Sequence, residues 1–115
     1  MEKQQIKNWV AGLIASGNVH KFYTSPPWEH LRIEILRDDK YECQHCKARG
    51  YYAKANTVHH VMHLRDYPEL ALSRYYKDNQ GKEQRQLVSL CFECHEKAHE
   101  IERGKATIPL TPERW

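Results

Sequence analysis

The sequence predicts a small α+β domain organised around bound metal. Its 115 residues suit a single domain. Amphipathic helical stretches alternate along it with short extended ones. Four cysteines fall in two pairs, Cys43-x2-Cys46 and Cys91-x2-Cys94, with none left over. A domain this small buries a limited core and often depends on a metal or disulfide staple, and the cysteines are the residues that can supply it.

Within residues 1–20, Ile6, Trp9, Val10, Leu13 and Ile14 recur at helical spacing, and Gly17-Asn18 is a stop signal. Ser25 followed by Pro26 and Pro27 has the form of a helix start. The helix it opens is expected from Pro27 to about Asp38, with Trp28, Leu31, Ile35 and Leu36 on one face and Glu29, Arg32, Glu34 and Arg37 towards water. Residues 37–40 form a polar turn. Cys43 to Cys46 is a tight knuckle closed by Gly50. Residues 51–58 favour extended structure and suggest a β-hairpin leading into His59-His60. Pro68 to about Tyr76 reads as helix, and residues 77–86 read as an exposed polar loop. Leu87, Val88 and Leu90 form a short strand that feeds Cys91. A last helix is expected from about Phe92 to Arg103, stopped by Gly104, and the tail beyond it carries Pro109 and Pro112.

The charge is mild. Eighteen basic residues against 15 acidic ones give +3, which permits nucleic-acid binding without demonstrating it. Trp9 to Ala15 is the longest apolar run near the start, far short of the roughly 20 residues of a membrane span. A cytoplasmic protein is expected. In that compartment cysteines stay reduced, and paired cysteines point to metal rather than disulfides.

Two residues between cysteines let both sulfurs converge on one ion. Two such knuckles supply the four thiolates of a closed structural zinc site. A redox Cys-x-x-Cys motif would follow a strand in a βαβ unit, and this chain has no such pattern. The zinc is therefore expected to hold the fold and do no chemistry.

Five of the eight histidines cluster, as His59, His60 and His63 and as His95 and His99. His95 and His99 stand four apart on the expected last helix, so their imidazoles share a face and can chelate one divalent ion. The spacing equally fits a helix surface that carries two histidines. His59 and His60, adjacent on a strand, point to opposite sides. That arrangement can pair a metal ligand with a general base, and it also has an ordinary structural explanation. Cys94-His95 ties the second knuckle directly to the helical histidines, so a zinc ion there would aim them.

These pieces together resemble the HNH endonuclease family, of the ββα-metal fold. The resemblance rests on Tyr41-Glu42-Cys43-Gln44-His45-Cys46, on Val58-His59-His60, and on Leu87-Val88-Ser89-Leu90-Cys91-Phe92-Glu93-Cys94-His95 with His99. Phe22-Tyr23, Ser25, Trp28, Leu31, Arg32 and Leu36 resemble the lead-in helix of phage and prophage members. The resemblance implies a metal-dependent DNA endonuclease that makes nicks or double-strand breaks. It assigns His60 as general base and His59, His95 and His99 as ligands of a catalytic Mg2+, Mn2+ or similar ion. Phage packaging, beside terminase and portal, is implied by analogy alone. The family's middle asparagine is replaced by Gln86, which keeps the amide and adds a methylene. Asn79, seven residues earlier, is the other candidate for that role. His63 is a further candidate contact to phosphate or metal, and Arg65, Lys97 and Arg103 are candidate phosphate contacts. His45, His20 and His30 fit no pattern.

The expected organisation is a helical extension over residues 1–21, an HNH domain over 22–104 and a tail over 105–115. A zinc-stabilised nucleic-acid-binding module without catalysis is the alternative reading. A protein-interaction adaptor displaying Trp9, Trp28 and Trp115 is a third. His59, His60, His95 and His99 separate the first reading from the others, because a binding module needs no second metal centre.

Overall fold

The computed structural model describes residues 2–102, and of residues 100–102 the backbone alone. Gly104, Arg103, Trp115 and the expected tail lie outside the described residues. The elements run α1 (Lys3–Ala15), α2 (His20–Tyr23), α3 (Pro26–Asp38), α4 (Gln44–Ala48), β1 (Thr57–His60), a 3-10 turn (Pro68–Leu70), β2 (Tyr75–Lys77), β3 (Glu83–Arg85), β4 (Leu87–Leu90) and α5 (Phe92–Glu102). The fold is α+β, with two two-stranded antiparallel sheets, β1–β4 and β2–β3. No helix among the described residues is long and apolar enough to cross a membrane.

Helix α1 buries Ile6 and Val10, one turn apart, and lays Trp9, Leu13 and Ile14 beside them. It ends where the sequence signals a stop. Gly17 takes φ +73°, its N–H donates to Ile14 O at 3.1 Å, and Asn18 N–H donates to Leu13 O at 2.7 Å. This double closure needs a left-handed residue, which glycine supplies without steric cost. Helix α2 was not anticipated. It is a single turn that drives Phe22 into the centre of the core. There Phe22 meets Trp9, Tyr23 and Trp28 at ring-centroid distances of 5.6, 5.2 and 5.4 Å. Helix α3 begins at Pro26, with Ser25 as its N-cap, and buries Trp28, Ile35 and Leu36. One apolar cluster thus joins α1, α2, α3, β1 and β4, and a smaller one surrounds the cysteines.

The structure departs from expectation in three segments. The approach to β1 is not a local hairpin. Strand β1 pairs with β4, in the register Thr57↔Leu90, His59↔Val88 and His60↔Leu87, and the preceding segment contributes only the Glu42↔Lys54 bridge. Val58, His59 and His60, and all four residues of β4, are buried. Strands enclosed this way find their partner through the core, which no local pattern encodes.

Pro68 to Tyr76 is not a helix. Only Pro68–Leu70 turns, and Tyr75–Lys77 becomes β2. A lone short helix is costly to nucleate, whereas the two tyrosines suit a strand. Residues 77–86 are likewise not a loop but the second half of a hairpin. Asp78 Oδ1 accepts the N–H groups of Gln80 and Lys82, both at 2.9 Å, and Gly81 sits at φ +77°. The β2–β3 hairpin is tied to α3 by Arg74, which reaches Glu34 and Asp38 at 2.6 and 3.0 Å, and by Arg85, which grips Asp39 through two 2.9 Å bonds.

Candidate metal centres and active site

The knuckle Cys43–Cys46 caps and enters α4, and Cys91–Cys94 runs from the end of β4 into α5. The four sulfurs lie within 4.8 Å of one another. Cys46 Sγ stands 3.9 Å from Cys91 Sγ and 3.6 Å from Cys94 Sγ. Four thiolates about 2.3 Å from a tetrahedral zinc ion would be about 3.8 Å apart, so the donor set fits the ion. The electrostatics agree. Burial opposes charge on Cys43, but backbone N–H groups of Cys46 and Cys91 pull its thiol down to about 7. Contact with Cys94, then burial, pushes Cys46 up to about 12. Four crowded sulfurs cannot all ionise without a cation among them. Arg49, three residues past Cys46, sends Nη2 to Cys46 Sγ at 3.6 Å and to Cys94 Sγ at 3.5 Å, so one guanidinium bridges both knuckles.

The second constellation joins β1 to α5. The ligating nitrogens of His59, His95 and His99 lie within 4.8 Å of one another. His95 Nε2 and His99 Nε2 are 3.1 Å apart, and the His59 ring lies 5.4 and 5.6 Å from theirs. Two nitrogens about 2.1 Å from one ion would be separated by roughly 3.0–3.4 Å. The three imidazoles therefore fit a divalent ion. His59 and His99 are buried and His95 is half-buried.

His60 turns the other way, as alternation along β1 requires. Its ring stacks on Trp28, with centroids 4.7 Å apart and planes 27° apart, and packs against Phe22 and Tyr23. His60 Nε2 donates to Ala71 O at 2.9 Å. A carbonyl only accepts, so Nε2 carries the hydrogen and Nδ1 keeps the lone pair. Burial lowers the His60 pKa to about 4, against the opposing effect of the Ala71 carbonyl. The imidazole is accordingly neutral at physiological pH.

All four histidines line one cavity of about 320 Å3, with Tyr23, Trp28, Arg32, Thr57 and Val58 completing its walls. Burial raises the Tyr23 phenol, which stays neutral across the physiological range.

Gln86 is fully buried and spans the segment after His60. Its Oε1 accepts Met62 N–H and its Nε2 donates to Met62 O, both at 2.8 Å, while its backbone carbonyl accepts Val61 N–H. Both arms of the amide are spent on Met62. Asn79 is exposed at the tip of the β2–β3 hairpin, away from this network. His63 is half-buried and Arg65 exposed, and neither lines the cavity. Lys97 is exposed on α5, and His45 is exposed beside the first knuckle.

Sequence reasoning missed two partners. Arg32, expected to face water, instead donates Nη2 to Asn56 O at 2.9 Å and lines the cavity. The signal was its place one turn after Trp28, on the same face of α3. The Ala71 carbonyl, which orients His60, left no signal, because a backbone acceptor is invisible in composition.

No protein-family model and no curated relative matches this chain. Among solved structures, it is similar to the HNH endonuclease of the deep-sea thermophilic bacteriophage GVE2, determined with a manganese ion. The two are 26% identical with a TM-score of 0.64, over 91% of this chain and 98% of that one.

Proposed function

We propose that this protein, a small α+β chain with the HNH fold and a four-cysteine metal site, is a metal-dependent endonuclease that hydrolyses DNA phosphodiester bonds. The observation that carries this reading is the placement of His59, His95 and His99 on one cavity with His60, whose ring is held apart from theirs by the alternation of β1.

In this reading His59, His95 and His99 hold the catalytic ion. A divalent ion there would neutralise charge on the scissile phosphate and the leaving oxygen. Three neutral imidazole nitrogens suit Ni2+ or Zn2+ better than Mg2+. His60 is the general base. With Nε2–H committed to Ala71, its Nδ1 takes a proton from the attacking water, and stacking on Trp28 fixes the ring for that transfer. Gln86 is a positioning residue. It pins the backbone at Met62, two residues past His60, where an asparagine would have a shorter reach. Cys43, Cys46, Cys91 and Cys94 hold structural zinc, which fixes the start of α5 and so aims His95 and His99. DNA is the substrate. One small site cuts one strand, so cleavage of both needs two sites or a partner. A cytoplasmic role in phage genome packaging, beside terminase and portal, is supported only by the phage origin of the similar structure.

The test is a supercoiled-plasmid assay with Mg2+, Mn2+ or EDTA, comparing wild type with His60→Ala. Nicked or linear product that requires both metal and His60 is the expected result. No cleavage by wild type with any ion, with zinc bound and DNA retarded on a gel, would overturn it in favour of a non-catalytic nucleic-acid-binding module.

A further inference from the structure

The cavity has two walls of different character. Strand β1 and α5 supply the imidazoles of His59, His95 and His99, while α3 faces them with Trp28 and, one turn on, Arg32. Residues four apart on a helix share a face, so the turn that supports His60 through Trp28 also delivers Arg32 to the same cavity. Among the described residues lining that cavity, Arg32 carries the one permanent charge.

Among the described residues, no carboxylate pairs with its charge. Arg32 Nη2 donates to the carbonyl of Asn56, directly before β1. That neutral acceptor takes one of five guanidinium N–H groups and cancels no charge. Glu34 and Asp38 are engaged with Arg74 and Asp39 with Arg85, and Glu29, one turn before Arg32 on α3, makes no ion pair with it among the described residues. A guanidinium fixed at its edge, lining a cavity, with no carboxylate partner among the described residues, suits an anion with paired oxygens. A phosphodiester is such an anion.

We infer that Arg32 is a further catalytic residue, binding the non-bridging oxygens of the scissile phosphodiester from the α3 wall, opposite His59, His95 and His99. This rests on the nuclease reading for the identity of the phosphate and adds the group that holds it. Charge accumulates on those oxygens as water attacks, so a fixed cation there stabilises the transition state more than the bound substrate. The Asn56 contact sets the guanidinium against the strand that carries His59 and His60, fixing the distance from phosphate to base.

R32Q is the informative variant, because glutamine retains an N–H for the Asn56 carbonyl and loses only the charge and the fork. R32K restores the charge without the fork. Nicking kinetics are expected to show kcat/KM reduced at least about 100-fold in R32Q and partly recovered in R32K, with the melting temperature and Mn2+ affinity of wild type. Binding to a 20-base-pair duplex is measured by fluorescence anisotropy in the His60→Ala background, with zinc in place. There R32Q is expected to make the salt dependence of log K shallower by about 0.9, the loss of one phosphate contact. R37Q removes the same charge from an exposed position of α3 and is expected to leave the slope unchanged. A slope unaltered by R32Q, or altered equally by R37Q, overturns the inference and leaves Arg32 as a lock between α3 and β1. If wild type cleaves nothing while R32Q still flattens the slope, the phosphate contact stands and the nuclease reading fails.

Discussion

Trp28 lies flat against His60, with the ring centroids 4.7 Å apart and the planes 27° apart. A core tryptophan thereby sets the orientation of the residue proposed as the base. Trp28→Ala is expected to cost about 3–5 kcal/mol, as large aromatic truncations do, a large share of the stability of a domain this size. Trp28→Phe retains an aromatic face and is expected to stay folded, with kcat lowered more than KM is raised, because the ring of His60 gains freedom while the cavity wall keeps an aromatic side chain. Thermal melts together with nicking time courses measure both effects.

Zinc should be inseparable from folding. Cys43→Ser and Cys91→Ser are each expected to abolish the cooperative thermal transition, since a structural zinc site contributes folding energy outright. A stable, zinc-free and fully active Cys43→Ser protein would rule this out. Arg49→Gln is expected to fold but to surrender zinc faster to a colorimetric chelator, because it removes the donor that bridges Cys46 and Cys94.

The amide of Gln86 satisfies both backbone groups of Met62. Gln86→Leu leaves two partners unmade and is expected to destabilise by about 2 kcal/mol, with cleavage impaired because the chain beyond His60 loosens. Asn79→Ala, at an exposed turn, should change stability by less than about 0.5 kcal/mol and leave nicking within twofold. Strong loss of nicking in Asn79→Ala alone would transfer the amide role to that residue.

Asp39 gives a pH signature. Burial works against its charge, but the forked bond from Arg85, with added contacts from Ser89, outweighs this and holds the carboxyl below its usual range. A carboxyl depressed in the folded state stabilises above its unfolded pKa, and that contribution is lost as pH falls through the folded value. Asp39→Asn is therefore expected to lower the melting temperature at pH 7, by the equivalent of about 2 kcal/mol. The gap between wild type and variant should close as the pH falls through the depressed range in which Asp39 is protonated in the folded state. A gap independent of pH would mean that the amide, and not the charge, matters.

Much of the centre was legible in the chain because metal ligands need short, regular spacings. Cys43-x2-Cys46, Cys91-x2-Cys94 and the one-turn interval from His95 to His99 are local facts, and each appears in the structure as a converging set. Helices α1 and α3 were legible because their apolar periodicity and their stop or start residues act within a few positions. The β2–β3 hairpin carried a local signal too, in Tyr75-Tyr76 and in the Asp78 to Gly81 tip, but the polarity of residues 77–86 masked it.

What the sequence determined by itself was local: that the four cysteines form two knuckles, that His95 and His99 share a helix face, and that His59 and His60 must face opposite ways. Only tertiary structure decided that β1 joins β4 across 26 intervening residues, that Ala71 holds His60, that Gln86 is spent on Met62, and that Arg32 faces the cavity. The physical reason is common to all four. Each depends on a backbone group or a buried face reaching across the chain. Burial selects such contacts collectively, through the whole core, and the residues involved carry no periodic mark of the partner they will meet.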